Sequence, residues 1–272
     1  MADTNKLGVI GSPIGHSLSP MIHKHFGSQF NIDIEYERIE ADASNFNNVA
    51  QIFFYSGGLG LNITVPNKAT AFLFCEEHSD TSKKTKVVNT IHKQPNGSLF
   101  GHNTDPIGLI ADLEKNHAIT IEGKRILLIG AGGAAAGILP SLYKKSSKKI
   151  TITNRTPERA YQLLNDLGLN DQAHYVSFGF SEGSFDIVIN ATSAGLHDSI
   201  PKINPSLIRQ DTVCYDLNYA VGSTEFLTYC KSLKAQTCID GWGMLVEQAA
   251  QSFELWFNKR PNTETLLLNR PK

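Results

Sequence analysis

RILLIGAGGAAAG, Arg125–Gly137, is the stretch that decides the fold of this 272-residue chain. Ile126–Ile129 is a continuous apolar run of strand type, Gly130, Gly132 and Gly133 follow at once, and an Ala-rich segment then opens a helix. In that context Gly130 permits a tight turn and Gly132 lets the backbone approach a pyrophosphate. The helix N-terminus beyond them offers free N–H groups and a positive dipole end. Many α/β loops carry glycines for turn geometry alone, so the next βα unit has to separate an anion site from a plain turn.

That unit contains Lys149–Thr153, KITIT, a short β-branched run, followed by NRTPER, Asn154–Arg159. A dinucleotide site that holds a free ribose 2′-hydroxyl places an Asp or Glu near the end of this strand. Here stand Asn154 and Arg155. No carboxylate repels a 2′-phosphate, and a guanidinium is present to pair with phosphate oxygens, so the cofactor reading is NADP. Thr156, Pro157 and Glu158 have the order of an N-cap, a first-turn proline and a first-turn acid, which puts Arg159 in the first turn of the next helix. A cation there opposes the helix dipole. Arg159 is either a solvated side chain or, as we favour, a second partner of the added phosphate.

Composition sets the outer bounds. A formal charge of −1, 41% hydrophobic and 19% charged residues describe an ordinary globular protein, with no basic surplus for nucleic acid or an anionic membrane. Cys75, Cys214, Cys230 and Cys238 show no CxxC spacing and no histidines in metal-ligand register, so they read as reduced packing thiols and no metal site is expected. The N-terminal residues have no leader pattern, and no segment has the length and apolarity of a membrane span. The expectation is a cytoplasmic, soluble protein, monomer or homodimer, that acts on a small molecule.

A nucleotide domain starting near residue 105 leaves enough chain before it for a second core. There, Leu7–Ile10 reads as a strand. Ser19 followed by Pro20 suits an N-cap and first helical residue, and Ile22, His25 or Phe26, and Phe30 fall on one helical face. Two hydroxyls at this helix start, Ser17 and Ser19, either serve capping alone or also form a neutral anion site for a small carboxylate. Ile34–Ile39 alternates as a half-buried strand does, and Phe46, Val49, Ile52 and Phe53 mark an amphipathic helix.

The run up to Val65 reads as a buried strand carrying Asn62 and Thr64, with Lys68 just beyond. A lysine here is either a solvated charge or a functional group. Val87–Thr90 is a further strand, a PNG turn precedes Leu99–Gly101, and Asp105 before Pro106 suits the N-cap of a helix, with a free oxygen to offer a cleft.

In the second half, Phe185–Asn190, Thr212–Leu217 and Thr237–Asp240 read as strands, and a helix spans about Thr224–Leu233. Alternating strands and helices imply a mainly parallel sheet. The small residues Ala191–Gly195 suit close backbone approach to a cofactor or an ordinary tight loop. Leu245, Ala249, Phe253 and Trp256 form one stripe of a late helix, with Gln248 at its flank.

Read together, HSLSP, NITVPNK, VVNT, GHNTD, GAGGAA, NRTPER, NATSAG, DLNY and DGWGMLVEQAA resemble shikimate dehydrogenases, in the family's order from about residue 8 to residue 256. The resemblance implies an α/β substrate domain over 1–104, a Rossmann-like NADP domain over 105–240, and C-terminal helices over 241–272 that return to the first domain. It implies reversible NADPH-dependent reduction of 3-dehydroshikimate to shikimate. A quinate/shikimate dehydrogenase accepting NAD and a non-catalytic NADP-binding sensor are the alternatives.

By the same resemblance Lys68 is the catalytic acid/base and Asp105 its partner. Ser17 and Ser19 hold the substrate carboxylate, with Tyr219 at that end, and Thr64, Asn89, Asp105 and Gln248 contact the ring hydroxyls. Gly130, Ala131, Gly132, Gly133 and Ala134, with Asn154, Arg155, Thr156 and Arg159, bind NADP. Thr192, Leu217, Gly241 and Met244 lie toward the nicotinamide, and Asp80 stands where some members have an acidic cofactor residue.

The chain departs from the family's pattern at four places. Asn67 replaces an aromatic or histidine, Pro106 replaces glycine, Lys86-Val87 replaces Gly-Ala, and Ala136 stands where an arginine is frequent in the Gly-rich loop. The last change leaves phosphate affinity more dependent on Arg155 and Arg159.

Overall fold

In the computed structural model the described residues are 5–146, 148–192, 200–201 and 203–270. The chain divides into two compact units, one made of Met1–Gly108 with Leu245–Pro271 and the other of Leu109–Met244. None of the described helices is long and apolar enough to cross a membrane.

The first unit is built on a six-stranded sheet from β1 (Asn5–Gly11), β2 (Ile34–Glu40), β3 (Gly60–Ile63), β4 (Glu77–His78), β5 (Thr90–Lys93) and β6 (Leu99–His102), in the order β2-β1-β3-β5-β6-β4. β1 runs parallel to both β2 and β3, while β5 is antiparallel to β3 and β6. Successive side chains of a strand point to opposite faces, and β3 shows what this does here. Leu61 and Ile63 enter the apolar core with Phe46, Phe53 and Phe54 of α2 (Phe46–Tyr55) and Ala71 of α3 (Lys68–Phe74). Gly60 and Asn62 face the other way. A Cβ on Gly60 would run into the Trp256 indole of α9 (Trp242–Phe257), and Asn62 bonds His23 of α1 (Ser19–Ser28) and Ser252 of α9. Phe253 meets Phe26 edge-on at 5.9 Å, so α1 and α9 are joined by aromatic packing on that face.

Several elements differ from the sequence reading, each for a local reason. Leu18, not Ser19, is the N-cap of α1, with the proline in the first turn and no side-chain cap; the serine hydroxyls bond each other instead. The buried face of α1 is Ile22, His23 and Phe26, because His23 finds Asn62 as a partner inside. In α2 the face is Phe46, Ala50, Phe53 and Phe54, and Ile52 is exposed. The strand expected at Val87–Thr90 starts only at Thr90, since the Val88 N–H goes to the Lys68 carbonyl and the Asn89 N–H to that of His102. α3, the short α4 (Asp80–Thr85), β4 and the second unit's β9 (Ala173–Val176) were not foreseen.

The second unit has β7 (Ile126–Ile129), β8 (Ile150–Thr153), β9, β10 (Ile187–Asn190), β11 (Val213–Asp216) and β12 (Thr237–Ile239) in the order β12-β11-β10-β7-β8-β9, all parallel. Read from β9, this is the 3-2-1-4-5-6 order of the doubly wound dinucleotide fold, which reverses between β7 and β10. The unbroken apolar character of β7 follows from burial on both faces. Ile126 and Leu128 pack with Ile138 and Leu142 of α6 (Gly133–Ser146) and Leu164 of α7 (Pro157–Leu167), while Leu127 and Ile129 pack with Phe226 and Leu227 of α8 (Glu225–Ser232). α10 (Glu264–Leu268) closes the chain's described elements. All four cysteines are free thiols.

Candidate active site

In the first unit the polar candidates collect beyond the C-terminal ends of β1, β3 and β6, at the end of the sheet where open α/β sheets bind ligands. After β3 the chain turns through Thr64–Asn67, closed by the Asn67 N–H on the Thr64 carbonyl at 2.9 Å, and Lys68 begins α3. After β6, Asn103 and Thr104 lead into α5 (Asp105–Ala111). Asp105 is thus the first helical residue rather than a cap that precedes the helix, a position where the dipole favours its charge.

The two termini bring their charges together: Lys68 Nζ lies 2.5 Å from Asp105 Oδ2, with the side chains 14% and 7% exposed. Asp105 Oδ1 accepts from Asn89 Nδ2 at 2.7 Å. The carboxylate therefore uses one oxygen to hold the ammonium and the other to hold an amide, an arrangement of charge-assisted bonds that orients both.

Asn89 is itself held on all sides. Its Oδ1 accepts from the Thr104 N–H at 2.9 Å and from Thr90 Oγ1 at 3.0 Å, and its Nδ2 also reaches Thr104 Oγ1 at 2.9 Å and Gln248 Oε1 at 3.3 Å. Lys68, Asn89, Asp105 and Gln248 thus form one constellation, and Thr104, which the sequence reading passed over, belongs to it. The signal was available in NTD, where the threonine stands directly before the suspected Asp105.

At the β1 end, Ser17 Oγ and Ser19 Oγ are 3.2 Å apart, both buried, and Arg38 Nε donates to the Ser17 carbonyl at 2.8 Å. Thr64 is half-buried, and its methyl lies where a Cβ on Gly11 would have to go, so the close pairing of β1 and β3 depends on that glycine. The site has hydroxyl, amide, ammonium and carboxylate groups close to one another. That inventory suits a small polyhydroxy acid.

The second unit gathers the loop candidates. Gly130 has φ +115°, and an added Cβ would lie 3.0 Å from the Ala191 carbonyl oxygen at the end of β10, so the turn tolerates glycine only. Ala131 and Ala134 are half-buried, while Gly132 and Gly133 are exposed at the head of α6. The backbone there is open to an incoming group. Gly130 N–H bonds the Thr153 carbonyl at 2.8 Å, and Thr153 Oγ1 is buried with no partner among the described residues. Open glycines on a 14-residue helix N-terminus, beside an orphaned hydroxyl at the reversal of strand order, fit a dinucleotide pyrophosphate.

At the end of β8, Asn154 Nδ2 donates to the Thr156 carbonyl at 2.8 Å and shapes the turn, and Arg155 and Arg159 are exposed. Thr156 is the N-cap by backbone position, although its hydroxyl makes no cap bond. Asp216 is buried, and it accepts from Asn190 Nδ2, Asn218 Nδ2 and Thr224 Oγ1 at 3.0, 2.9 and 2.7 Å. Burial pushes its carboxyl up while these bonds pull it back down. Asn190 Oδ1 in turn takes the Thr192 N–H and hydroxyl, and Gly241 allows its backbone against that of Leu217. Thr192, Leu217 and Gly241 are therefore tied to one polar knot.

Met244 is buried in the core of the same unit, and the Tyr219 ring stands edge-on to Trp242 at 6.4 Å. Asp80 is an exposed first-turn residue of α4 in the first unit. The loop proposed over Ala191–Gly195 lies partly outside the described residues, from 193 on.

Three family models match the chain: the shikimate dehydrogenase substrate binding domain over residues 9–91, shikimate / quinate 5-dehydrogenase over 112–199, and the shikimate 5′-dehydrogenase C-terminal domain over 241–267. A shikimate dehydrogenase (NADP(+)) of Halorhodospira halophila is 42% identical over 260 residues, 95% of either chain.

The chain belongs to the shikimate dehydrogenase family.

A second shikimate dehydrogenase (NADP(+)), from Aeromonas salmonicida, is 42% identical over 262 residues, covering 95% of this chain and 94% of that one. The crystal structure of the Thermus thermophilus shikimate 5-dehydrogenase in complex with NADP(H) and shikimate superposes with a TM-score of 0.84 at 27% identity, over 96% of both chains. Of the departures from the family's pattern, Asn67 is wholly buried and donates to the Ala41 carbonyl at 2.7 Å, and Lys86 closes α4 with φ +54°. Neither removes a group of the shikimate dehydrogenase site.

Proposed function

We propose that this protein catalyses the reversible NADPH-dependent reduction of 3-dehydroshikimate to shikimate. The observation that carries the reading is the Lys68–Asp105–Asn89 constellation, in a member of a family whose curated relatives are named for this activity.

Reducing a ring ketone leaves negative charge on its oxygen, which a nearby ammonium stabilises and then protonates. Lys68 Nζ is that ammonium. Asp105 aims it through the 2.5 Å contact, and Asn89 fixes the carboxylate from the other side. In the oxidative direction the same amine takes the proton from the alcohol. Asn89, Asp105, Thr64 and Gln248 hold the ring hydroxyls, and Ser17 and Ser19 take the carboxylate through neutral donors, with Tyr219 assigned to the same end.

The cofactor, when bound, supplies or accepts the hydride. Gly130–Ala134 would cradle its pyrophosphate on the α6 N-terminus, and Asn154, Arg155, Thr156 and Arg159 would receive the 2′-phosphate. Thr192, Leu217, Gly241 and Met244 would line the nicotinamide end, and Asp80 would be a further polar contact. The domain assignment follows: substrate chemistry in the first unit, dinucleotide binding in the second.

Steady-state oxidation of shikimate and of quinate by the purified protein, each with NADP and with NAD, tests the proposal. The expected result is a kcat/KM highest for shikimate with NADP by at least about tenfold, since a paired guanidinium–phosphate contact contributes more than a kcal/mol. A preference for quinate or NAD would favour the quinate/shikimate alternative, and absence of turnover would favour a non-catalytic NADP-binding sensor.

A further inference from the structure

Behind Ser17 and Ser19 lies a buried polar chain that the catalytic reading does not use. The Ser17 hydroxyl donates to Ser19 Oγ at 3.2 Å; burial pushes the Tyr36 hydroxyl on β2 well up, and the neighbouring Ser19 hydroxyl draws it part of the way back. Tyr36 in turn donates to Asn62 Oδ1 at 2.7 Å. The same oxygen receives His23 Nε2 at 3.1 Å, with the His23 ring stacked on Tyr36 at 4.8 Å between centroids and only 9° from parallel. His23 is wholly buried and Tyr36 nearly so.

Asn62 cannot reverse its amide. Its Nδ2 donates to the Asn89 carbonyl at 3.4 Å, which can only accept, and to Thr90 Oγ1 and Ser252 Oγ, whose own protons go to Asn89 Oδ1 and the Gln248 carbonyl, so its oxygen must face Tyr36 and His23. His23 must then carry its proton on Nε2, and its Nδ1, buried and without a partner among the described residues, is bare. The Ser17 and Tyr36 hydroxyls thus point their protons inward, away from the place a ligand would occupy.

An anion at the serines reverses what is favourable. Ser19 must turn its one proton outward, and the Tyr36 oxygen and Ser19 oxygen then face each other with no proton between them unless Tyr36 turns as well. Tyr36 is free to do so, because Asn62 Oδ1 keeps its bond from His23 and is not left unsatisfied. The turned chain runs Tyr36 to Ser19 to the anion, each donor strengthened by the one behind it.

We infer that Tyr36 is a positioning residue for carboxylate recognition: its hydroxyl reverses from Asn62 to Ser19 when a carboxylate binds, with His23 holding Asn62 in the meantime. The inference rests on the assignment of Ser17 and Ser19 to the substrate carboxylate. It gives the buried histidine a task that needs a neutral donor, which suits a ring that burial keeps uncharged.

The test compares shikimate with its carboxamide, which keeps the ring hydroxyls and lacks the anion, by equilibrium binding to the full-length protein and two variants. Tyr36→Phe keeps the ring stacked on His23 and removes only the hydroxyl. It is expected to weaken shikimate by about tenfold, the lower end for a bond serving a charged group, and to change the carboxamide by less than about twofold. Equal weakening of both ligands would mean a packing role and overturn the inference, as would no weakening of either.

Ser19→Ala separates the two layers. If it fails to discriminate the ligands, the carboxylate assignment falls and the relay with it; if it discriminates and Tyr36→Phe does not, the relay alone falls. Should Tyr36→Phe not fold, the Tyr36 13Cζ resonance of the unaltered protein decides. A shift on saturation with shikimate but not with the carboxamide supports the reversal, and the same shift with both overturns it.

Discussion

The Lys68 ammonium and the Asp105 carboxylate lie 2.5 Å apart, each at the first residue of its own helix, although 37 residues separate them in the chain. A pair so placed holds a proton donor still without depending on the flexible remainder of the lysine side chain.

Replacing Lys68 by methionine keeps the stem and removes the charge. Turnover is expected to fall by a factor of about 10²–10⁴, the usual contribution of a positioned acid/base, while the dissociation constant for shikimate changes by less than about threefold. Rapid kinetics together with equilibrium binding check this. A variant that keeps most of its kcat would remove Lys68 from the mechanism.

Gly130→Ala forces a side chain onto a backbone with φ +115° and against the Ala191 carbonyl. A cost of about 1–3 kcal/mol is expected for holding a non-glycine residue there, seen as a lowered Tm, together with weaker binding of both NADP and NAD. An unchanged Tm would show that the turn relaxes easily.

Arg155→Ala is expected to weaken NADP by at least about tenfold and NAD by less than about threefold, because a guanidinium facing the 2′-phosphate has no counterpart on the free ribose. Fluorescence titration with the two dinucleotides measures the ratio. Equal losses would transfer the discrimination to another residue, with Arg159 the first to examine.

Burial holds the His23 imidazole down at about 3, against 6.5 for the free side chain. Between these values the unfolded chain binds a proton that the folded one refuses. Stability therefore falls as pH drops below about 6.5, by up to about 1.4 kcal/mol per pH unit from this group. His102, lowered to about 4 by burial first and by His92 second, acts in the same direction. Urea unfolding of the native protein and of His23→Gln between pH 4 and pH 6 should show the variant's slope reduced by about 1 kcal/mol per unit. Parallel slopes would mean that the ring is protonated in the folded state.

Much of this protein was legible in its residues taken in order. The apolar run of β7, the glycines after it and the β-branched run of β8 declare their elements locally, because burial on both faces and a turn with positive φ restrict the residue types allowed. Lys68, Asn89, Asp105 and Gln248 could be nominated from motifs, though Lys68 by its own surroundings was as good a surface charge as a catalytic one. Their meeting is a product of the fold: β3 and β6 deliver two helix starts to one end of the sheet, and α9 returns Gln248 from 159 residues beyond Asn89.

The polar chain from Ser17 to His23 was the least visible part. The periodicity of SPMIHKH favours His25 over His23 for the inward face, since residues two apart on a helix do not share a face. The packed structure decides for His23, because a buried imidazole is tolerable where another chain segment supplies a hydrogen-bond partner, and Asn62 does so for His23. Local pattern determined which elements form; which polar atoms they bury together was decided by tertiary packing, through the cost of leaving any of those atoms unpaired.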